Sequence, residues 1–525
     1  MLRHYIVIVL FCIAASGYTY AAANSAQECY ITDYNTADCS NRNLTMVPPD
    51  LPASLWSLDL TGNLITELND TSLARLGNLR NLTLDNNKIS MVSAQAFSHC
   101  TQLMNLSMAL NDVTELANTT FSQTTQLRQL VLANNMFEAI PNDELAPLTQ
   151  LTHLDLSFLN RKGAISSSTA ELGKVYSDLP LETLLLAGLG LKNVSADFFV
   201  NINGNLLSLD VSANQLTSLN SNTFGRFVNL ASLVLSNNSI TSVSADDFMG
   251  LSRLTLLDLG ANRLTTIPAD LCKNMPQLGR MSLQQFLGSQ LHDDAFSSCA
   301  GSLTGINLSL TKLASINQAF ANMKNLTALN LANNSQLTIT SADAFQNASK
   351  LAELNLQGMG TRHSGNFYQL PPALHQLSSL RRLDVSSSRY ASLSKADTKW
   401  INATLTSLKA NNNPWNCACR NIDFITWFQL SQTVISDDVT TYNCSTCDQC
   451  DTLPTSLANF SYSHCSVSPK QEHTKVLRYG LGLAFCGLVV GVLLTSCVVF
   501  VMSKRRVACF KPPYENLDET AATNA

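Results

Sequence analysis

The residues in this chain best suited to chemistry are cysteines and asparagines. "CSTCDQC" sets Cys444, Cys447 and Cys450 two residues apart, downstream of a C-x-C pair, Cys417 and Cys419, and ahead of Cys465. Such spacing serves either zinc or disulfides, and a secreted context favours disulfides, with Cys447–Cys450 as a small local bridge. N-x-S/T acceptors for N-linked glycans begin at Asn43, Asn69, Asn81, Asn105, Asn118, Asn193, Asn237, Asn307, Asn325, Asn333, Asn347, Asn402 and Asn459, while Asn443 adjoins a cysteine. The eight histidines are scattered. No nucleophile elbow, paired-histidine metal motif or phosphate-cradling glycine loop is present, so the reading is non-enzymatic, with no cofactor and no metal.

Disulfides and glycans require export. Arg3 and His4 precede an apolar run from Tyr5 to Ala15, and small residues follow at Ala21, Ala22 and Ala23, which predicts a cleaved signal peptide over 1–23. Residues 479–503 carry no charge and are followed by Lys504, Arg505 and Arg506. They predict a single membrane-spanning helix after a stalk over 467–478, with a tail over 504–525 inside the cell. This is a type I arrangement at the plasma membrane. Gly487 and Gly491, continued by Thr495, share one face of that helix and point to lateral pairing with a co-receptor or a second copy. In the tail, Cys509 is a palmitoylation candidate. Tyr514, with Asn516 and Leu517 in "YENL", suits an endocytic adaptor or, once phosphorylated, an SH2 domain. Apolar residues make up 45%, charged residues 14%, and the net charge of −5 gives no nucleic-acid footprint.

The elements between these termini follow one period. "LWSLDLTGNLITEL" begins at Leu55, and related stretches begin at Leu79, Leu103, Leu127 and Leu151, then at Leu206, Leu230, Leu254 and Leu278. Looser copies start at Leu181, Leu303, Leu326, Leu351, Leu380 and Leu405, about fifteen in all. The x-L-x-L-x core alternates with period two and predicts a short strand with its leucines on one face. One copy cannot bury that face alone, so neighbours must stack. Asparagine closes the strand at Asn63, Asn87, Asn111, Asn135, Asn160, Asn214, Asn238, Asn262, Asn334 and Asn413, where its amide is expected to satisfy backbone groups of adjacent turns. Leu189, Phe286, Thr311, Met359 and Ser388 take its place elsewhere, and those turns are expected to be less regular. A second column, Phe97, Phe121, Phe224, Phe248, Phe296, Phe320 and Phe345, predicts a buried phenylalanine spine.

The pattern L-x-x-L-x-L-x-x-N-x-L is the leucine-rich-repeat signature, and the phenylalanine column resembles the extracellular repeats of Toll-like receptors, small proteoglycans and neuronal repeat proteins. The resemblance implies an α/β leucine-rich-repeat solenoid, a horseshoe with its parallel sheet on the concave side. Repeats would span 53–413 between an N-terminal cap over 24–52 and a cysteine-rich C-terminal cap over 414–466. It further implies the disulfide Cys29–Cys39 in the first cap, and Cys417–Cys444 with Cys419–Cys465 in the second. Cys100, Cys272 and Cys299 read as buried free thiols, with a Cys272–Cys299 bridge as the secondary reading.

Outward positions of the middle repeats carry His153, Asp155, Phe158, Asp210, Asp258, Arg280 and Gln284, with few glycan acceptors among them. They form the candidate patch for an extracellular protein or microbial ligand, and Asp59 and Asp384 extend a mildly acidic stripe. An insertion over 161–180 adds a surface loop. The chain is most similar to a Toll-like-receptor ectodomain without an intracellular TIR domain. That similarity implies a recognition receptor of innate defence, acting through a co-receptor, dimerisation or endocytosis. A cell-adhesion or guidance protein of the same architecture is the second reading.

Overall fold

In each repeat the middle residue of a three-residue strand is buried and its two neighbours are half-exposed or exposed, as a pleated strand with one covered face requires. The computed structural model describes residues 29–460, except 33–34, 164, 166–175, 177, 203, 361–366, 368, 432–434, 436–441, 447–455 and 459. All described residues belong to one compact unit. The signal segment, the stalk, the apolar segment 479–503 with Gly487 and Gly491, and the tail with Cys509, Tyr514, Asn516 and Leu517 lie outside them. So do Cys447, Cys450, Cys465, Asn459 and most of the 161–180 insertion. Among the described residues no helix is long and apolar enough to cross a membrane.

The strands begin with β1 (Tyr30–Thr32), β2 (Thr36–Asp38), β3 (Ser57–Asp59), β4 (Glu67–Leu68), β5 (Asn81–Thr83), β6 (Met91–Val92) and β7 (Asn105–Ser107). They continue as β8 (Gln129–Val131), β9 (His153–Asp155), β10 (Thr183–Leu185), β11 (Ser208–Asp210), β12 (Ser232–Val234) and β13 (Leu256–Asp258). The last of the repeats are β14 (Arg280–Ser282), β15 (Gly305–Asn307), β16 (Ala328–Asn330), β17 (Glu353–Asn355), β18 (Arg382–Asp384) and β19 (Ser407–Lys409). Apart from the short parallel pair β4–β6, these form one 17-stranded sheet. Only β1–β2 is antiparallel, and every other neighbour in that sheet pairs in parallel. With β1 and β2 assigned to the N-terminal cap, fifteen strands remain, one for each expected copy.

The asparagine column holds adjacent turns together. Asn111 Oδ1 accepts from the Ile89 N–H of the preceding repeat at 3.0 Å. Its Nδ2 donates to the carbonyls of Leu84 at 2.9 Å and Met108 at 3.1 Å. The same pattern recurs at Asn87, Asn135, Asn238 and Asn262. Asn160 departs from the expectation. Leu159, fully buried, occupies the column position, and Asn160 Oδ1 instead accepts from the Lys162 N–H.

The turns that lack the asparagine are nonetheless regular. The residue before the column adopts positive φ in every copy, including Gly188, Gln285, Leu310, Gly358 and Ser387. Its N–H donates to the next repeat, as Gln285 does to Ser309 O and Ser387 to Asn411 O, both at 2.9 Å. These backbone bonds fix the turn whatever side chain follows. Behind the sheet the phenylalanine spine is buried, with stacked pairs Phe97–Phe121 at 5.8 Å and Phe296–Phe320 at 5.6 Å.

Both ends of the core are covered. The β1–β2 hairpin carries the Cys29–Cys39 disulfide and continues the sheet beyond β3. At the other end α1 (Lys395–Thr404) begins with a capping box, Ser394 with Asp397. Trp415 is buried between Phe424, at 5.1 Å, and Tyr442, at 6.1 Å. Phe424 lies on α2 (Ile422–Leu430). The final pair, β20 (Trp415–Asn416) and β21 (Cys444–Thr446), adjoins the Cys417–Cys444 bridge. Cys419 is also disulfide-bonded.

Cys272 and Cys299 correct the free-thiol expectation, because they form a disulfide with their Cα atoms 5.2 Å apart. Cys272 stands in the spine of one repeat, and Cys299 stands three residues past the spine of the next, a separation of 27. Cys100 occupies the same place as Cys299, but the residue 27 before it is Leu73, which is buried and cannot bond. Cys100 therefore stays a buried free thiol, and burial pushes its pKa up to about 12.

Candidate ligand-binding face

The open face of the sheet is built from the third, fifth and seventh positions of each copy, and the fifth has a structural duty. Its carboxylate or amide accepts from the backbone N–H two residues on, closing an Asx turn. The distances are 2.8 Å for Asp59 to Thr61, 2.9 Å for Asp155 to Ser157, 2.7 Å for Asp210 to Ser212 and 2.9 Å for Asp258 to Gly260. Asp384 serves Ser386 likewise at 2.9 Å. In the N-terminal cap, the Ser40 hydroxyl and then its N–H hold the Asp38 carboxyl below the usual carboxylate range. The recurrence of acid in this column thus has a conformational cause. Strand register also sets Leu185 between Asp155 and Asp210, and Val234 between Asp210 and Asp258. The acids alternate with apolar residues instead of adjoining.

Among the other patch residues, His153 is exposed beside the Thr152 hydroxyl, 2.8 Å from Nδ1. Phe158 is 43% exposed with φ 52, and its ring covers Gly188, where a Cβ would collide with it. A bulky side chain held in the left-handed region carries strain of about 1–3 kcal/mol. Gln284 is half-buried, its Cβ packed toward Gly260.

A hollow of about 630 Å³ opens on the face across β13–β17. Register places Arg280, Gly305, Ala328 and Glu353 in one row on adjacent strands. Gly305 and Ala328 leave the space between two long side chains unfilled. Asp258 and Arg280 of the predicted patch line this hollow; His153, Asp155, Phe158, Asp210 and Gln284 do not. The residues that sequence reasoning missed are Gly305, Ala328, Asn330, Asn355 and Glu353. The available signal was the run of very small third-position residues between Arg280 and Glu353. Glu353 is ion-paired with Arg382 on the next strand, whereas Arg280 makes no ion pair among the described residues.

Of the glycan acceptors, Asn43, Asn69, Asn118, Asn193, Asn237, Asn333, Asn347 and Asn402 are exposed, and Asn325 is half-buried. Asn81, Asn105 and Asn307 are half-buried on the sheet face, and Asn105 Nδ2 donates to Asn81 Oδ1 at 2.6 Å. Among the described residues no group of three or more His, Cys, Asp or Glu could hold a metal ion.

The family model "Leucine rich repeat" matches residues 53–113, 101–161, 204–264 and 228–285. The model "BspA type Leucine rich repeat region (6 copies)" matches 261–374, so that together they span more than half of the chain. No curated protein shows significant sequence similarity to the chain. Among solved structures, the TLR13–ssRNA13 complex is similar with a TM-score of 0.59 at 20% identity, over 81% of this chain and 70% of that one. A leucine-rich-repeat protein of Leptospira interrogans gives 0.52 at 20% identity, over 77% and 96%. The glycosylated Toll–Spatzle complex of Drosophila gives 0.52 at 20% identity, over 82% and 57%. At such identities the likeness carries the fold alone. With the repeat models, the stacked parallel strands and the asparagine column in agreement, the chain belongs to the leucine-rich-repeat proteins.

Proposed function

We propose that this chain is a cell-surface recognition receptor of type I topology, displaying its repeats outside the cell to bind a protein or microbial ligand. The observation that carries the reading is the division of labour within each repeat. Leucines, phenylalanines and the closing asparagine hold the stack, while the third-position side chains on the open face differ from copy to copy and none of them is buried. A scaffold of this kind binds and does not catalyse. Residues 1–23 and 479–503 support export and anchoring, and the glycan acceptors support an oxidising, glycosylating route. Toll, solved with Spatzle, and TLR13, solved with an RNA, share the fold, which supports a role in recognition and, on our reading, in innate defence.

The test is to express the full chain in animal cells, label intact cells with a membrane-impermeant reagent and digest with an N-glycanase. The expected outcome is surface labelling and a fall in apparent mass after digestion. A chain that is neither labelled nor shifted contradicts the proposal. Cell–cell aggregation without any response to microbial material would favour the adhesion reading.

A further inference from the structure

We propose that the hollow over Gly305 and Ala328 binds an acidic peptide segment of a protein partner, its carboxylates held by Arg280, by the side-chain amides of Asn330 and Asn355, and by that of Asn307 where it carries no glycan. The inference deepens the recognition reading and rests on it.

The three asparagines occupy the fifth position of β15, β16 and β17, in register on adjacent strands. Their Oδ1 atoms accept from the N–H groups of Ser309, Ala332 and Gln357 at 3.1, 3.0 and 2.9 Å. A backbone N–H can only donate, so the amide orientation is fixed without ambiguity. Each Nδ2 is thereby turned away from its turn, and all three residues line the hollow. Among the described residues none of these Nδ2 groups donates to a protein acceptor. At about 4.8 Å between strands they make a row of donors roughly 10 Å long.

The capping duty does not explain the choice of amide. Asp258 before this sector and Asp384 after it perform the same cap. Asparagine keeps the cap and replaces an outward acceptor with a donor, so its selection on three consecutive strands changes what the floor can bind. Arg280 adds an exposed guanidinium with no ion-pair partner among the described residues, and Glu353 at the far rim is matched by Arg382. Asp258 lies beyond Arg280 and sets the limit of the donor sector. A row of donors beside a free guanidinium complements carboxylate oxygens. Carboxylates on alternate residues of an extended peptide stand about 7 Å apart, which fits within the row. The hollow's volume falls within the range of ligand sites, about 300–1,000 Å³.

The experiment uses the full-length chain carrying Ser309→Ala, which abolishes the glycan acceptor at Asn307 and leaves its amide in place. Fluorescent glutamate-rich and glutamine-rich peptides of equal length and a single-stranded oligonucleotide are titrated against it. The glutamate peptide should bind, and the other two should not. Asn330→Asp and Asn355→Asp should each weaken it roughly ten- to hundredfold, and Arg280→Gln by a similar factor. The unfolding midpoint should stay unchanged in the aspartate variants, because this column natively accepts aspartate. Absence of glutamate-peptide binding, equal binding by the Asn330→Asp variant, or equal binding of the glutamine peptide or the oligonucleotide would overturn the inference. If the chain is surface-labelled and captures a ligand while the glutamate peptide does not bind, this inference falls and the receptor reading stands.

Discussion

Asn111 shows how much one side chain does in this fold. Fully buried, it satisfies an N–H of one repeat and carbonyls of two. Leu84 O and Met108 O keep second partners in Asn87 and Asn135, but the Ile89 N–H has only this acceptor side chain. Asn111→Ala should therefore lower stability by roughly 1–3 kcal/mol through that orphaned donor, read as a shifted denaturant midpoint. Cys100 makes a pH-dependent counterpart. With its folded pKa raised from 9.0 to about 12, the native chain keeps a proton that the unfolded chain releases between those values. Its contribution is fully present below pH 9 and is lost as pH climbs through the window. Cys100→Ala should flatten the alkaline fall in stability. Native protein at neutral pH should resist alkylation at this position until it is unfolded.

At the scale of elements, the strands were legible because a period of two nests within a period of twenty-four, and burial in the structure follows both. The Cys272–Cys299 bridge was legible only as a secondary reading and the hollow not at all, each for a geometric reason. The Cys272–Cys299 bridge runs diagonally between columns, from the spine of one repeat to a place three past the spine of the next, so neither column alone reveals it. Cys272→Ser and Cys299→Ser should each lower stability by about 2–4 kcal/mol under oxidising conditions, and the double variant should add little further, a non-additivity that thermal unfolding would measure. The hollow was missed because it consists of what Gly305 and Ala328 leave out, which becomes visible only when register sets them between Arg280 and Glu353. Asp155, Asp210 and Asp258 drew attention as acids, and the N–H groups they cap became apparent only with the turn geometry. Asn160 was placed one residue off its column for a simpler reason: Leu159 holds the position, and nearby asparagine imitates the motif.

Across the whole molecule, stacking uses nearly every inward residue and leaves the sheet face as the variable part, so recognition is expected there and not on the return segments. The direct measurement compares capture of ligands from microbial and animal-cell surface extracts by cells displaying the full chain or its variants. Ala328→Glu and Thr327→Glu place a carboxylate on the face at the hollow. Val228→Glu places one on an exposed return segment, where the native residue is 51% exposed. With surface amounts matched, the face variants should lose capture and the Val228→Glu variant should retain it. Undiminished capture by both face variants, with loss in Val228→Glu, would contradict the account.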